Sequence, residues 1–222
     1  MTDYHFNFSY IWKHFDRLIN GLLLSLELAL ISIVIGAIIG LMLAIMYIDF
    51  GRKYKLFIGI YVELIRNSPL LLLIYLIFYG IPSIGGFEYS STTSFVITLS
   101  IYASAYLIEV FRSGLSAVEQ GLIDAAKAIG LNYLQRLIYV RIPTMFRIVL
   151  PSMSNTYISL FKDTSLASVI AVPELMYGAQ WINFNTFRVI EVYAVITPMY
   201  LGVGFVILVL LRQLEKKYRV DV

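Results

Sequence analysis

The sequence predicts an all-α integral membrane protein with five transmembrane helices, on three observations. Of its 222 residues, 59% are hydrophobic and only 14% charged, and the mean hydropathy is +0.80. Five apolar runs, near 18–48, 57–81, 94–115, 148–171 and 192–212, are long enough to cross a hydrocarbon core of about 30 Å, which takes roughly 20 helical residues. Period-two alternation is missing from them, and each is about twice the length of a barrel strand, so they read as helices.

The first seventeen residues carry polar and aromatic side chains with no short apolar core or small-residue cleavage site, so they read as an extracytoplasmic segment, 1–17, and not as a removable signal. Tyr4, Phe6, Phe8, Tyr10 and Trp12 alternate there, as expected of an interfacial aromatic belt. In the first span Gly36 and Gly40 stand four apart, the spacing that lets two helices approach closely. A single membrane domain over 18–215 follows, then a short cytoplasmic tail, 216–222.

Basic residues set the orientation. Arg52, Lys53 and Lys55, then Arg112, Lys127, Arg136, Arg141 and Arg147, then Arg212, Lys216, Lys217 and Arg219 fall on one side; Lys13, Arg17 and Arg188 fall on the other. Twelve against three puts the N-terminus outside and the C-terminus in the cytoplasm, as an odd number of spans requires.

Several function classes are disfavoured by what the chain lacks. Cysteine is absent and the two histidines, His5 and His14, precede the first span, so neither thiolate nor haem chemistry nor a His-dependent intramembrane hydrolase is supported. No Gly-rich phosphate loop ending in Gly-Lys-Ser or Gly-Lys-Thr occurs, so ATP use falls to a partner, and this chain is expected to bind no cofactor or metal of its own. Its basic pI reflects retained cytoplasmic charge and not a nucleic-acid surface.

Charge inside a membrane is costly and marks pathways. In the second span Glu63, Arg66, Asn67 and Ser68 precede Pro69, whose missing N–H is expected to leave the backbone at Ile65 open to a ligand or a neighbour. In the fourth, Lys162, Asp163 and Thr164 interrupt an apolar run near Asn155, Ser159, Ser165 and Ser168. Arg66 offers a bidentate grip for a carboxylate and Asp163 a partner for an ammonium group, the two ends of an amino-acid zwitterion. A structural reading stands beside this one: Glu63 and Arg66 share a helix face, and Lys162 has Asp163 for a neighbour. Glu109 and Arg112 read as structural partners.

Between the third and fourth spans lies a polar loop, 116–147, that spells helix, break, helix. Ala125, Ala126, Lys127 and Ala128 are good helix formers, with Asp124 expected in the first turn and Gly130 as the break. Asn132 and Gln135 have capping-box spacing, and the second helix is expected to end at Pro143, after Ile142.

That loop resembles the cytoplasmic loop of binding-protein-dependent ABC importer permeases: Glu-Ala-Ala, three residues, Gly, nine residues, aliphatic, any, aliphatic, Pro. Here Asp124 replaces Glu, while Ala125, Ala126, Gly130, Val140, Ile142 and Pro143 are in register. The stretch from Glu63 to Leu71 and Phe161-Lys162-Asp163-Thr164-Ser165-Leu166 resemble two further stretches of the polar amino acid subfamily, with Asn67 and Ser68 in place of Gly and Thr.

The resemblance implies a type I ABC importer permease of a bacterial inner membrane, working with two ATPase subunits that carry ATP and Mg, a second permease, and an extracytoplasmic solute-binding protein. It implies a polar amino acid as substrate and a coupling helix pair around Asp124, Ala125, Ala126, Gly130, Ile142 and Pro143. Arg66 and Lys162 against Asp163 leave a mildly positive balance that tilts the substrate toward glutamate, aspartate or glutamine. An ion-gradient-driven secondary transporter would also place charge at midplane, but five spans do not divide into two inverted halves. A non-transporting scaffold would leave the buried charges purely structural.

Overall fold

The computed structural model describes residues 5–86 and 88–218, and all regular structure in them is helical. Tyr4 of the aromatic alternation and Arg219 of the tail lie outside the described residues. The elements are α1 (Ser9–Lys13), α2 (Phe15–Asp49), α3 (Arg52–Arg66), α4 (Leu70–Gly85), α5 (Ser91–Ser116) and α6 (Gln120–Ala128). A continuous helix α7 over 133–163 follows, then α8 (Leu175–Thr186) and α9 (Val189–Tyr218).

The framework is the pairing of α2 with α5. A stripe of small residues, Gly21, Ser25, Ala29, Ser32, Gly36, Gly40 and Ala44, is buried along α2 at three- and four-residue spacing. A Cβ on Gly36 would lie 2.7 Å from the Ala103 Cβ and 3.1 Å from the Ser100 carbonyl oxygen; one on Gly40 would lie 3.1 Å from the Leu107 Cβ. Backbones therefore approach closely where lipid offers little hydrophobic reward for association and dispersion must hold the helices together. Around this contact Leu28, Phe95, Leu99, Leu107, Phe111 and Met145 form the main core. Helix α7 crosses α5 at Gly114, where a side chain would overlap Val149 and Met145.

Three helices, Phe15–Asp49, Ser91–Ser116 and Val189–Tyr218, are long and apolar enough to cross a membrane, and the pair Arg52–Arg66 with Leu70–Gly85 makes a fourth candidate. That pair is not the straight span expected over 57–81: its halves are bent by 102° at residues 67–69. Pro69 opens the second half, and its carbonyl accepts from Leu72 and Leu73. Nor is the Ile65 carbonyl open, because Ser68 N–H donates to it at 3.3 Å, and the Ser68 hydroxyl takes the Leu64 carbonyl at 2.7 Å. The break satisfies its own backbone.

Pro143 does not end a helix, contrary to expectation. Tyr133–Arg136 runs through a widened π turn, Leu137–Arg141, into Ile142–Asp163 without interruption. A wider turn moves the preceding carbonyl away from the proline ring and removes the need for its N–H. Helix α4 uses the same device, with a π turn over Leu76–Gly80 just before Pro82. There the Ile77 carbonyl, which Pro82 cannot serve, accepts from the Tyr89 hydroxyl.

Beyond Asp163 the chain tightens into a 3-10 turn, Thr164–Ile170, reverses at Ala171 (φ 59°), and enters α8, an element the sequence reading did not anticipate. Helix α8 packs through Leu175, Ala179 and Ile182 on Leu18 of α2 and Val192 and Ile196 of α9. Helix α9 otherwise turns Leu201, Phe205, Val206 and Leu210 outward.

Gly36→Ala is expected to force α2 and α5 apart and destabilise the fold by about 1–3 kcal/mol, the usual range for overpacking. Gly202→Ala, where an added Cβ meets nothing within 4 Å, is the control. Thermal unfolding in detergent should lower the Tm of the first variant only.

Candidate functional site: a polar intramembrane cavity and an exposed helix pair

Helix α7 carries Asn155, Ser159 and Asp163 at four-residue spacing, which places them on one face. That face lines a cavity of about 400 Å³ together with Tyr102 and Tyr106 of α5, a volume in the range of small-molecule sites. The two tyrosine hydroxyls are 3.1 Å apart. Arg66, at the end of α3 just before the 102° break, brings its guanidinium carbon to 5.1 Å from the Tyr106 ring centroid. Asp163 is the charged residue of the cavity lining, Arg66 lies outside that lining beyond the Tyr106 ring, and among the described residues neither is in a salt bridge. Asp163 is also the last residue of its helix, where the negative end of the helix dipole adds to the carboxylate in favouring a cation.

The other polar candidates separate. Lys162 faces away from Asp163 into a second cavity of about 380 Å³, lined mostly by apolar residues of α7 and α9 such as Ile158, Leu201 and Phe205. Asn67 does not reach the first cavity's lining; its amide donates to the Glu63 carbonyl at 2.9 Å and to the Glu63 carboxylate at 2.8 Å. Glu63 therefore pairs with Asn67, not with Arg66. Ser68 caps its own helix end, and Thr164 is buried with its hydroxyl on the Phe161 carbonyl at 2.6 Å. Glu109 and Arg112 form a two-pronged pair at 2.7 and 3.3 Å.

The second feature is the helix pair around Gly130. Helix α6 begins at Gln120, a turn earlier than expected, so Asp124 lies in its second turn and not its first. The Asp124 carboxylate accepts from the Gln120 amide at 2.9 Å and from Lys127 at 3.1 Å, and these partners, in that order, hold its pKa below the ordinary carboxylate value. Gly130 takes φ 86°, and Leu131 N–H then reaches the Ala126 carbonyl. Asn132 and Gln135 form the anticipated reciprocal capping box at 2.9 Å each. Ala126 and Leu137 face the body of the protein, whereas Leu122, Ile129, Leu134, Ile138 and Tyr139 are exposed. Ala125 is exposed as well, Ile142 is half-buried, and Pro143 is exposed at the start of the long α7 segment.

Three groups escaped the sequence reading. Tyr102 and Tyr106 had a signal, i and i+4 in an apolar span. Glu174 fell between the anticipated spans, yet it is fully buried and caps α8 through Met176 N–H at 2.9 Å and Tyr177 N–H at 2.8 Å. It also accepts from Ser25 at 3.2 Å and Tyr200 at 3.1 Å, so α2, α8 and α9 meet on one carboxylate. A Cβ on Gly21 would lie 2.7 Å from the Glu174 backbone, so the glycine admits this contact. Asp49, the last residue of α2, accepts from Tyr133 and Arg141 of the helix pair.

Together these features define a multi-pass helical membrane protein with a polar cavity between α5 and α7 and a capped, partly apolar helix pair. Over residues 19–220 the chain matches, and belongs to, the family of binding-protein-dependent transport system inner membrane components. The probable glutamine ABC transporter permease protein GlnP of Bacillus subtilis is 36% identical over 210 residues, covering 93% of this chain and 96% of that one. The glutamine transport system permease protein GlnP of Escherichia coli is 29% identical, covering 97% and 99%. A solved amino acid ABC transporter, described as crystallised with histidines, superposes with a TM-score of 0.86 at 31% identity over 96% of this chain and 100% of its own.

Because its folded-state pKa is depressed, Asp124 contributes stability that is present above the ordinary carboxylate pKa of about 3.9 and is lost only as pH falls through the lower folded value. The Tm difference between the natural protein and Asp124→Asn is therefore expected to stay constant from about pH 8 to about pH 5 and to shrink in stronger acid. Thermal scans across that range would check it.

Proposed function

We propose that this chain is the permease subunit of an ATP-driven importer of polar amino acids, with glutamine, glutamate and aspartate as the expected group. The observation that carries the proposal is the family match over 19–220, in a chain whose relatives are named as amino acid and glutamine ABC permeases. On this reading the chain crosses the membrane five times: α2, the bent α3–α4 pair, α5, α7 and α9. The twelve-to-three distribution of Lys and Arg supports an outside N-terminus and a cytoplasmic helix pair. Two ATPase subunits, a second permease and a solute-binding protein complete the assembly.

The cavity suits a zwitterion. Arg66 takes the α-carboxylate and Asp163 the α-ammonium, with Asn155, Ser159 and the tyrosine hydroxyls left for a polar side chain. Since Lys162 faces a different cavity, the charges available to the site are Asp163 in its lining and Arg66 beside it over Tyr106, a balance that favours glutamine over the acidic members of the group. Exposed Leu122, Ile129 and Leu134 supply apolar surface for docking an ATPase, and closure of the ATPases then rocks the permeases between inward and outward access.

Proteoliposomes holding the complex and a matching binding protein are expected to take up glutamine only with ATP; uptake that follows an ion gradient without ATP would overturn the reading. In the same assay Arg66→Ala and Asp163→Asn should each raise the apparent KM by about 10- to 100-fold, the loss of one charged hydrogen bond, with basal ATP hydrolysis unchanged. Gly130→Leu should separate hydrolysis from transport. No atom obstructs a side chain there, so the penalty is conformational, about 1–2 kcal/mol for a left-handed residue. Gly130→Asn, which tolerates that conformation, should be the mildest replacement, and equal transport in the Leu variant would remove the docking assignment.

A further inference from the structure

We propose that Asp49 is a positioning residue that joins the helix pair to the membrane core and sets how much transport each ATP hydrolysis produces. The inference rests on the importer reading above and adds a residue to it.

One oxygen of Asp49 accepts from the Tyr133 hydroxyl at 2.6 Å and from Arg141 Nη1 at 2.9 Å. These partners lie eight residues apart, one opening the second helix of the pair and the other closing its π turn. The side chains of the ion pair are largely covered, Arg141 12% and Asp49 18% exposed, although the residue Asp49 as a whole is exposed where α2 ends; both side chains of the Asp124–Lys127 pair on α6 are more than half exposed. Among the described residues the Asp49 carboxylate is the acidic partner of this guanidinium, while the buried Arg141 Nε has no partner. A sheltered charge-assisted bond resists displacement far better than an exposed one, and losing one member leaves the other uncompensated.

Placement gives the contact its meaning. Asp49 ends α2, which Gly36 and Gly40 hold close against α5. Arg141 lies near the start of α7, the helix that ends at Asp163 in the cavity, twenty-two residues or about 33 Å further on. A force applied to the exposed helix pair reaches the lower end of α7 directly. Among the described residues, Asp49 is the charged contact that carries it sideways into α2, and so into the α2–α5 frame against which the cavity must open.

The test uses the full complex with its binding protein in proteoliposomes and reads the ratio of ATP hydrolysed to amino acid taken up. In Asp49→Asn that ratio is expected to rise about tenfold, within the usual span of coupling between sites, because uptake falls while hydrolysis is retained. Tyr133→Phe, which removes one hydrogen bond and no charge, should raise it less. The exchange Asp49→Arg with Arg141→Asp should bring it back toward the natural value. An unchanged ratio in Asp49→Asn, or hydrolysis and uptake falling together without rescue by the exchange, overturns the proposal. Should Asp49→Asn not assemble, an unchanged ratio in Tyr133→Phe overturns it equally. Failure of the natural complex to couple uptake to ATP at all would instead overturn the importer reading.

Discussion

Close approach of α2 to α5 is the constraint on which the rest depends. In a bilayer the tails compete with side chains for apolar contact, so two helices associate only if their surfaces fit better than lipid does. The fit here comes from Gly36 and Gly40, in a line of buried Gly, Ser and Ala on α2. Once these backbones are in contact, α3 can lie across the lower half of α5, with Ile58 and Val62 packed on Ile108, and α7 can cross at Gly114. At the far end of the stripe Gly21 lets the Glu174 backbone reach α2, so the same small-residue line that builds the core also seats the α8 loop.

Prolines act in this protein by changing helix pitch more than by ending helices. Pro82 and Pro143 each follow a π turn, and Pro151 lies inside the same long helix as Pro143. Because Pro143 fails to terminate α7, the exposed pair and the charged cavity are two ends of one rod. Pro69 behaves oppositely and separates two segments at 102°, with Ser68 donating to the Leu64 and Ile65 carbonyls and Asn67 to the Glu63 carbonyl at the end of α3. The difference lies in what precedes each proline. Asn67 and Ser68 compete for backbone groups and favour a helix end, whereas the runs before Pro82 and Pro143 are mainly apolar and keep the helix going.

Much of this was legible beforehand, and the reasons differ by residue. Helical class, the Gly36–Gly40 contact, the Gly130 turn and the Asn132–Gln135 box follow from local chemistry that tertiary packing did not override. Helix α8 was not legible, since a twelve-residue apolar stretch beside a longer one carries no periodic signal of its own. The partners of Asp49 and Glu174 lie 84 to 149 residues away in the chain for Tyr133, Arg141 and Ser25, a distance at which sequence pattern is silent. Lys162 and Asp163 are a case between: adjacency in sequence makes them look like a pair, but consecutive helical positions point about 100° apart, which is why they enter different cavities.

That divergence bears on how a charge survives in the membrane interior. A lone carboxylate or guanidinium there costs at least a few kcal/mol, and the usual remedy is a neighbouring opposite charge. Arg112 and Glu109 are paired in that way near the end of α5, as are Arg188 and Glu191 where α9 begins, at the flanks of the spans. Arg66 and Asp163 do not: the first lies over the Tyr106 ring, and the second stands at the rim of a polar cavity. Had Arg66 closed on Glu63, or Asp163 on Lys162, each would have been neutralised within its own helix. Glu63 is instead engaged by Asn67, and Lys162 is turned away by helix geometry. Two local choices, an asparagine before a proline and a one-residue step along α7, thus leave Asp163 in the lining of the polar cavity and Arg66 just outside it over the Tyr106 ring, with neither in a salt bridge among the described residues.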